Sequence, residues 1–152
     1  MSPYGRSTEG GQNTNMNCLF CQIAQKAINS EIIYEDEKTL AFLDIHPKAP
    51  GHAMVIPKEH AENILDLPES SVKPVFLAVK KVARSIKEAL KPSGFTIGIN
   101  HGRVSGQVVD HLHVHVIPRF DKDGGRSIHS VVDNPPKESI GKIAEKIRNI
   151  KH

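Results

Sequence analysis

With 152 residues, the chain is the size of one ordinary domain, and two halves would each be short of core. Its 38% hydrophobic and 24% charged residues exclude wholesale disorder, and no apolar run approaches the roughly 20 residues a membrane span needs. Twenty basic against seventeen acidic residues give a net charge of +3, too small and too scattered to point to nucleic acid.

Residues 1–17 are Gly-, Ser-, Asn- and Thr-rich and are expected to be a disordered tail. That stretch also lacks the apolar core of a secretory signal. The two cysteines, Cys18 and Cys21, cannot build a disulfide framework, so a reducing, cytoplasmic setting is expected. Leu19, Phe20, Ile23, Ala24 and Ala27 form a short helical stripe over residues 18–27, broken by Asn29 and Ser30.

Residues 32–34 and 39–45 form a strand hairpin around the turn Glu35-Asp36-Glu37-Lys38. Two prolines and a glycine make residues 46–51 a loop, and residues 52–56 a third strand ended by Pro57. Residues 71–90 carry Val72, Val75, Phe76, Val79, Val82, Ala83, Ile86 and Leu90 at spacings of three and four, an amphipathic helix. Pro74 sits in its first turn, where a missing N–H does no harm, and Pro92 and Gly94 end it. Residues 95–99 and 108–117 supply two more strands around a polar, glycine-bearing loop. A last helix follows Asn134-Pro135-Pro136, with Ile140, Ile143, Ile147 and Ile150 on one face. About five strands and three helices on mostly hairpin-length connections predict an antiparallel α+β domain.

The chemistry concentrates in Asp110-His111-Leu112-His113-Val114-His115-Val116-Ile117. Along an extended strand, His111, His113 and His115 share one face, and Leu112, Val114 and Val116 point into the core. Such a face is open to three readings: a His-rich solvent face, a metal site, or covalent catalysis by one imidazole oriented by a neighbour. At about 3.3 Å per residue the outer two histidines lie about 13 Å apart, so one ion does not comfortably take all three. Gly102 and Gly106 allow main-chain N–H groups to converge on an anion, with Asn100 and Gln107 adding amide donors. A phosphate facing the histidine row suits that loop, and favours covalent catalysis. Cys18 and Cys21 have metal-ligand spacing but form only half of a tetrahedral site; a reduced, metal-free pair is the rival reading. A thioredoxin-like redox role is poorer, since no βαβ pattern surrounds the pair.

These residues resemble the histidine triad (HIT) superfamily. His111-Leu112-His113-Val114-His115-Val116-Ile117 matches its His-φ-His-φ-His-φ-φ motif, where φ is apolar. Cys18-Leu19-Phe20-Cys21, Ala41-Phe42-Leu43-Asp44, the run from Pro50 to His60, and Gly106-Gln107 follow in family order. The ending His115-Val116-Ile117-Pro118-Arg119 is similar to Hint-type and related microbial members.

The resemblance implies a HIT-like fold over residues 18–126, with residues 127–152 a C-terminal extension that includes a helix, and a homodimer. It implies a nucleotidyl hydrolase or transferase acting at the α-phosphate of purine nucleoside phosphoramidates or related compounds. His113 would attack phosphorus to give a nucleotidyl-imidazole, which water or another acceptor then discharges. Neutral imidazole is a competent nucleophile near pH 7, and this scheme requires no catalytic metal. His115 would hydrogen-bond the phosphate or the scissile atom, and His52 would fix a tautomer behind the row. Asp44 would take the ribose hydroxyls, Leu43 and Ile45 the base, and Asn100, Gly106 and Gln107 the phosphate. In relatives with this CxxC pair, structural zinc is completed by histidines at the positions of His60 and His111. One departure stands out: Val108 replaces the family's usual Ser or Thr, so its main-chain N–H must serve where a hydroxyl would. Alternatives within the resemblance are a dinucleoside polyphosphate hydrolase and a nucleotide-binding adaptor with vestigial catalysis.

Overall fold

A computed structural model describes residues 15–152. The tail expected over residues 1–17 lies outside the described residues apart from 15–17. These lead into α1 (Leu19–Ala24), with the Cys18 N–H donating to the Asn15 carbonyl at 2.9 Å. Then come β1 (Ile32–Glu35), β2 (Thr39–Leu43), β3 (Ala53–Pro57), α2 (Glu69–Leu90), β4 (Gly94–Gly98), β5 (Val114–Arg119) and α3 (Ile140–Arg148). Single 3-10 turns occupy Arg103–Ser105 and Ile128–Ser130.

The strands form one five-stranded antiparallel sheet in the order β1-β2-β3-β5-β4. The hairpin turn between β1 and β2 closes on Asp36, whose Oδ1 accepts from the Lys38 and Thr39 N–H groups at 2.9 and 2.7 Å. Residues 58–93, with α2 among them, carry the chain from β3 over the sheet to β4, and β5 returns between these two strands. Just before β3, the glycine at position 51 turns the chain with φ +85°, and a Cβ there would come within 2.6 Å of the Leu90 side chain.

Alternation along the strands sorts the core into two clusters. Ala41, Ala53, Val55, Leu112, Val114 and Val116 face α2, meeting Val75, Ala78, Val79, Val82 and Ile86. Leu40, Phe42, Met54 and Ile56 face the other way, against Phe20 and Ile23 of α1 and the two cysteines. The register pairs Val55 with Val114 and Met54 with His115, so His115 lies on the α1 side of the sheet. The site is thus built on the face that α1 covers only in part, while α2 seals the opposite face with apolar side chains.

Boundaries differ from the sequence reading in physically traceable ways. The strand expected over 108–117 starts only at Val114, because the main chain before it bonds elsewhere: Leu112 N–H to the Ala61 carbonyl at 2.7 Å, and His111 N–H to the Val109 carbonyl at 2.8 Å. The alternation of side chains nevertheless continues through that segment, since Leu112 joins the α2-side core. β2 ends at Leu43, so Asp44 and Ile45 belong to the following loop. The first helix spans six residues where ten were expected, and Ile150 lies past the end of α3. Ser139 caps α3 by accepting from the Lys142 N–H at 3.3 Å, and none of the helix's residues is buried.

Candidate functional site

His111, His113 and His115 form a row, with ring centroids of the last two 5.0 Å apart. His111 is fully buried and His113 is 7% exposed. Their main-chain partners assign the protons. The His113 Nδ1–H donates to the His111 carbonyl at 2.7 Å, which leaves the lone pair of a neutral ring on Nε2. Behind the row, the Lys48 main-chain N–H donates to His52 Nδ1 at 3.1 Å. That nitrogen is therefore unprotonated, so the ring's proton sits on Nε2 and is donated to His115 Nδ1 at 2.9 Å. His115 is left with its proton on Nε2. The site thus holds one imidazole with a free lone pair beside another with a free N–H.

Electrostatics keep these rings neutral near pH 7. Burial lowers the pKa of His52, with Asp44 opposing and Lys48 assisting. Burial also lowers His113, against the hydrogen bond to the His111 carbonyl. His115 is pushed down to about 4, by burial first and then by the neighbouring His113 and His52 rings.

Asp44 Oδ2 lies 3.6 Å from His52 Nε2, while its Oδ1 accepts from the His46 N–H at 2.9 Å. Asp44, His52 and His115 come within metal-ligand reach of one another. They do not fit a metal ion, however. The Lys48 N–H already occupies the Nδ1 lone pair of His52, so a metal on Nε2 would require a ring with no proton at all.

The glycine loop stands beside the row. The 3-10 turn Arg103–Ser105 is flanked by glycines 102 and 106 at φ +83° and +100°. The Asn100 carboxamide lies over Gly106, 3.7 Å from where a Cβ would be. Gln107 departs from its expected part as a phosphate donor. Its Oε1 accepts from the Gly102 N–H at 2.9 Å, and its Nε2 donates to the Glu62 and Val109 carbonyls at 2.7 and 3.1 Å. Its buried carboxamide therefore shapes the loop and has no donor left for a ligand. The Val108 N–H makes no hydrogen bond among the described residues, and its side chain is exposed. Ile45 is 82% exposed at the rim, while Leu43 packs partly against the α2-side core.

The second cluster lies at the other end of the row. Cys18 Sγ is 3.3 Å and Cys21 Sγ 3.5 Å from His111 Nδ1, and Cys21 Sγ is 3.3 Å from His60 Nδ1. His111 donates its Nε2–H to the Pro57 carbonyl at 2.8 Å, so its lone pair points at the sulfurs. Cys21 hydrogen-bonds Cys18 and lowers the Cys18 thiol pKa, with burial opposing. Two thiolates and two imidazoles around a zinc-sized ion, at about 2.3 and 2.0–2.1 Å, are separated by S···N edges of about 3.5 Å. The four donors therefore fit a tetrahedral metal and can hold one.

Several groups that build the site were given no part in it by the sequence. Phe20 stands edge-on to both His113 and His111, at centroid distances of 5.1 and 6.0 Å. Its place between the two cysteines was the available signal. The main-chain groups of Lys48, Pro57 and Ala61 had none, because any residue supplies them.

The sequence model of the HIT domain matches residues 25–122, and the chain belongs to the HIT family. An adenosine 5′-monophosphoramidase of Candida albicans is 32% identical over 139 residues, covering 89% of this chain and 91% of that protein. The crystal structure of a HIT family member from Bacillus subtilis superimposes with a TM-score of 0.79 at 37% identity, covering 90% of this chain and 99% of that one. A Zn-bound histidine triad family protein from Mycobacterium smegmatis gives a TM-score of 0.67 at 35% identity, covering 81% of this chain and 85% of that one.

Proposed function

We propose that this HIT protein is a nucleotidyl hydrolase or transferase that cleaves purine nucleoside phosphoramidates, or related nucleotidyl compounds, at the α-phosphorus. One observation carries the reading: the His113 Nδ1–H is held by the His111 carbonyl, so Nε2 presents a lone pair without needing a base. That pair attacks phosphorus, the P–N bond to the amine breaks, and the amine leaves with a proton drawn from solvent, which the attacking water gives back in the second step. Water then attacks the nucleotidyl-imidazole, releasing the nucleotide and restoring His113. His115, whose Nε2–H is fixed by the chain from Lys48 through His52, donates a hydrogen bond to the phosphoryl group or the scissile atom.

Around this centre, Asp44 takes the ribose hydroxyls, and Leu43 and Ile45 take the base. The free Val108 N–H, the Asn100 carboxamide and the Gly106 turn hold the phosphate, with Gln107 shaping that loop. Cys18, Cys21, His60 and His111 hold a structural zinc; the covalent scheme calls for no catalytic metal. A homodimer and a cytoplasmic setting complete the reading. The Candida relative's phosphoramidase activity supports the substrate class.

The exposed Val108, where a hydroxyl would add a donor, favours one rival: a nucleotide-binding adaptor with vestigial catalysis. Acid-quench mass spectrometry after mixing with adenosine 5′-phosphoramidate separates the two. The expected result is a nucleotidyl adduct on His113 that His113→Ala abolishes. Tight AMP binding without an adduct above the level of His113→Ala would leave the adaptor.

A further inference from the structure

The metal-ligand cluster and the histidine row share one residue. His111 turns its Nδ1 lone pair toward Cys18 and Cys21, and its main-chain carbonyl accepts the proton that defines the His113 tautomer. A second link runs beside it. Phe20 lies between the two cysteines in α1, is 5% exposed, and packs edge-on against His113. A third ties the strand entry to the same cluster: Leu112 N–H donates to the carbonyl of Ala61, the residue after His60.

α1 has no independent means of holding its position. It is six residues long, its N-cap Cys18 makes no side-chain cap hydrogen bond, and it has no acidic residue in its first turn. A helix that short is not stable by itself. Its anchors are the Phe20 contact with Phe42 at 5.4 Å, the apolar cluster around it, and the two cysteines. Without a cation between them, two sulfurs and two imidazole nitrogens crowd together, with three S···N distances of 3.3 to 3.5 Å. Protons must then intervene, or the donors must separate. Separation carries α1 and His111 with it, and with them the two groups that confine His113.

We propose that metal in the Cys18, Cys21, His60, His111 cluster sets the readiness of the nucleophile: through the His111 carbonyl and the Phe20 ring, it locks His113 in its Nδ1–H form. Phe20 and His111 are positioning residues, acting through His113 and touching no substrate. The proposal rests on the reading of His113 as nucleophile, but its central observable is independent of any nucleotide.

The test is a ¹⁵N–¹H long-range correlation spectrum of the full chain with ¹⁵N-labelled histidine, recorded with one equivalent of zinc and after chelation. The zinc-loaded chain should show His113 as a single Nδ1–H tautomer. The metal-free chain should show an exchange average of both tautomers while the amides of the five strands keep their positions. Nucleotidyl transfer to His113 should then slow by about 10- to 100-fold. Phe20→Leu in the zinc-loaded chain should move the tautomer average the same way. An unchanged Nδ1–H tautomer in a folded, metal-free chain overturns the proposal. If the stripped chain unfolds, His60→Ala supplies a folded, weakly binding form, and a tautomer insensitive to zinc there overturns it equally. A metal-dependent tautomer with no nucleotidyl adduct would refute the function while leaving this coupling intact.

Discussion

The two histidine groups of this protein have nearly the same spacing and opposite wiring. His60 and His111 have ring centroids 5.1 Å apart, and His113 and His115 5.0 Å. In the first group, His111 turns its proton outward to the Pro57 carbonyl, so its lone pair faces the sulfurs. In the second, protons pass in one direction from the Lys48 amide through His52 to His115, and His113 alone keeps an outward lone pair. Imidazole spacing therefore does not decide between metal binding and covalent chemistry. The main-chain group behind each ring sets which lone pair is free, and what that lone pair faces, sulfurs for His111 and the open site for His113, sets what it can do.

The sharpest way to break this distinction is His113→Ala. Nucleotidyl transfer should fall on the order of 10⁴-fold in single turnover, with zinc content by metal analysis unchanged. A variant that lost both would show that the two groups do not work separately at the level of folding.

How much of this was legible in the sequence depends on the kind of group involved. The row itself was readable, because period-two alternation put Leu112, Val114 and Val116 in the core and the three histidines opposite. The four candidate metal-ligating positions followed from resemblance, and the folded chain brings them within reach of one another. What escaped was carried by main-chain atoms and by hydrogen-bond saturation. Gln107 reads as a free amide donor until its Oε1 and Nε2 are seen bonded to Gly102, Glu62 and Val109. The late start of β5 escaped for the same reason, since Ala61 competes for the Leu112 N–H across a sequence distance no local pattern encodes.

His52 sharpens the comparison from the other side. Removing it in His52→Ala frees His115 to take either tautomer, and kcat should drop by about 10- to 100-fold with KM little changed. His52→Asn should recover part of that loss, because a carboxamide can accept from the Lys48 N–H and donate to His115. Equal losses in both variants would argue that the imidazole does more than fix a proton.

Acid should reach the second group through its depressed pKa values. His115 ionises at about 4 in the fold, against 6.5 ordinarily, with His113, His52 and Asp44 facing it. The unfolded chain therefore binds more protons between those values, so stability is full above about pH 6.5 and declines as pH falls toward 4. Melting temperature measured from pH 7 to pH 5 should decrease, and His115→Gln should flatten that decline.

The smallest expected effect is at the loop. Val108→Ser adds a hydroxyl beside the free Val108 N–H and should raise nucleotidyl transfer by no more than about 10-fold, measured in single turnover. A larger gain would mean that the main-chain donor alone holds the phosphate poorly.

The strand order has a consequence for how such a molecule comes into being. β5 is the last strand made and is inserted between β3 and β4, so its partners wait on either side for a segment that has yet to arrive. The β3–β5 contacts reach across the whole of α2 and are slow to form, and no fragment that ends before β5 contains them. The histidine row is therefore assembled only when the whole sheet has closed, so the surroundings of its rings report directly on the completion of folding.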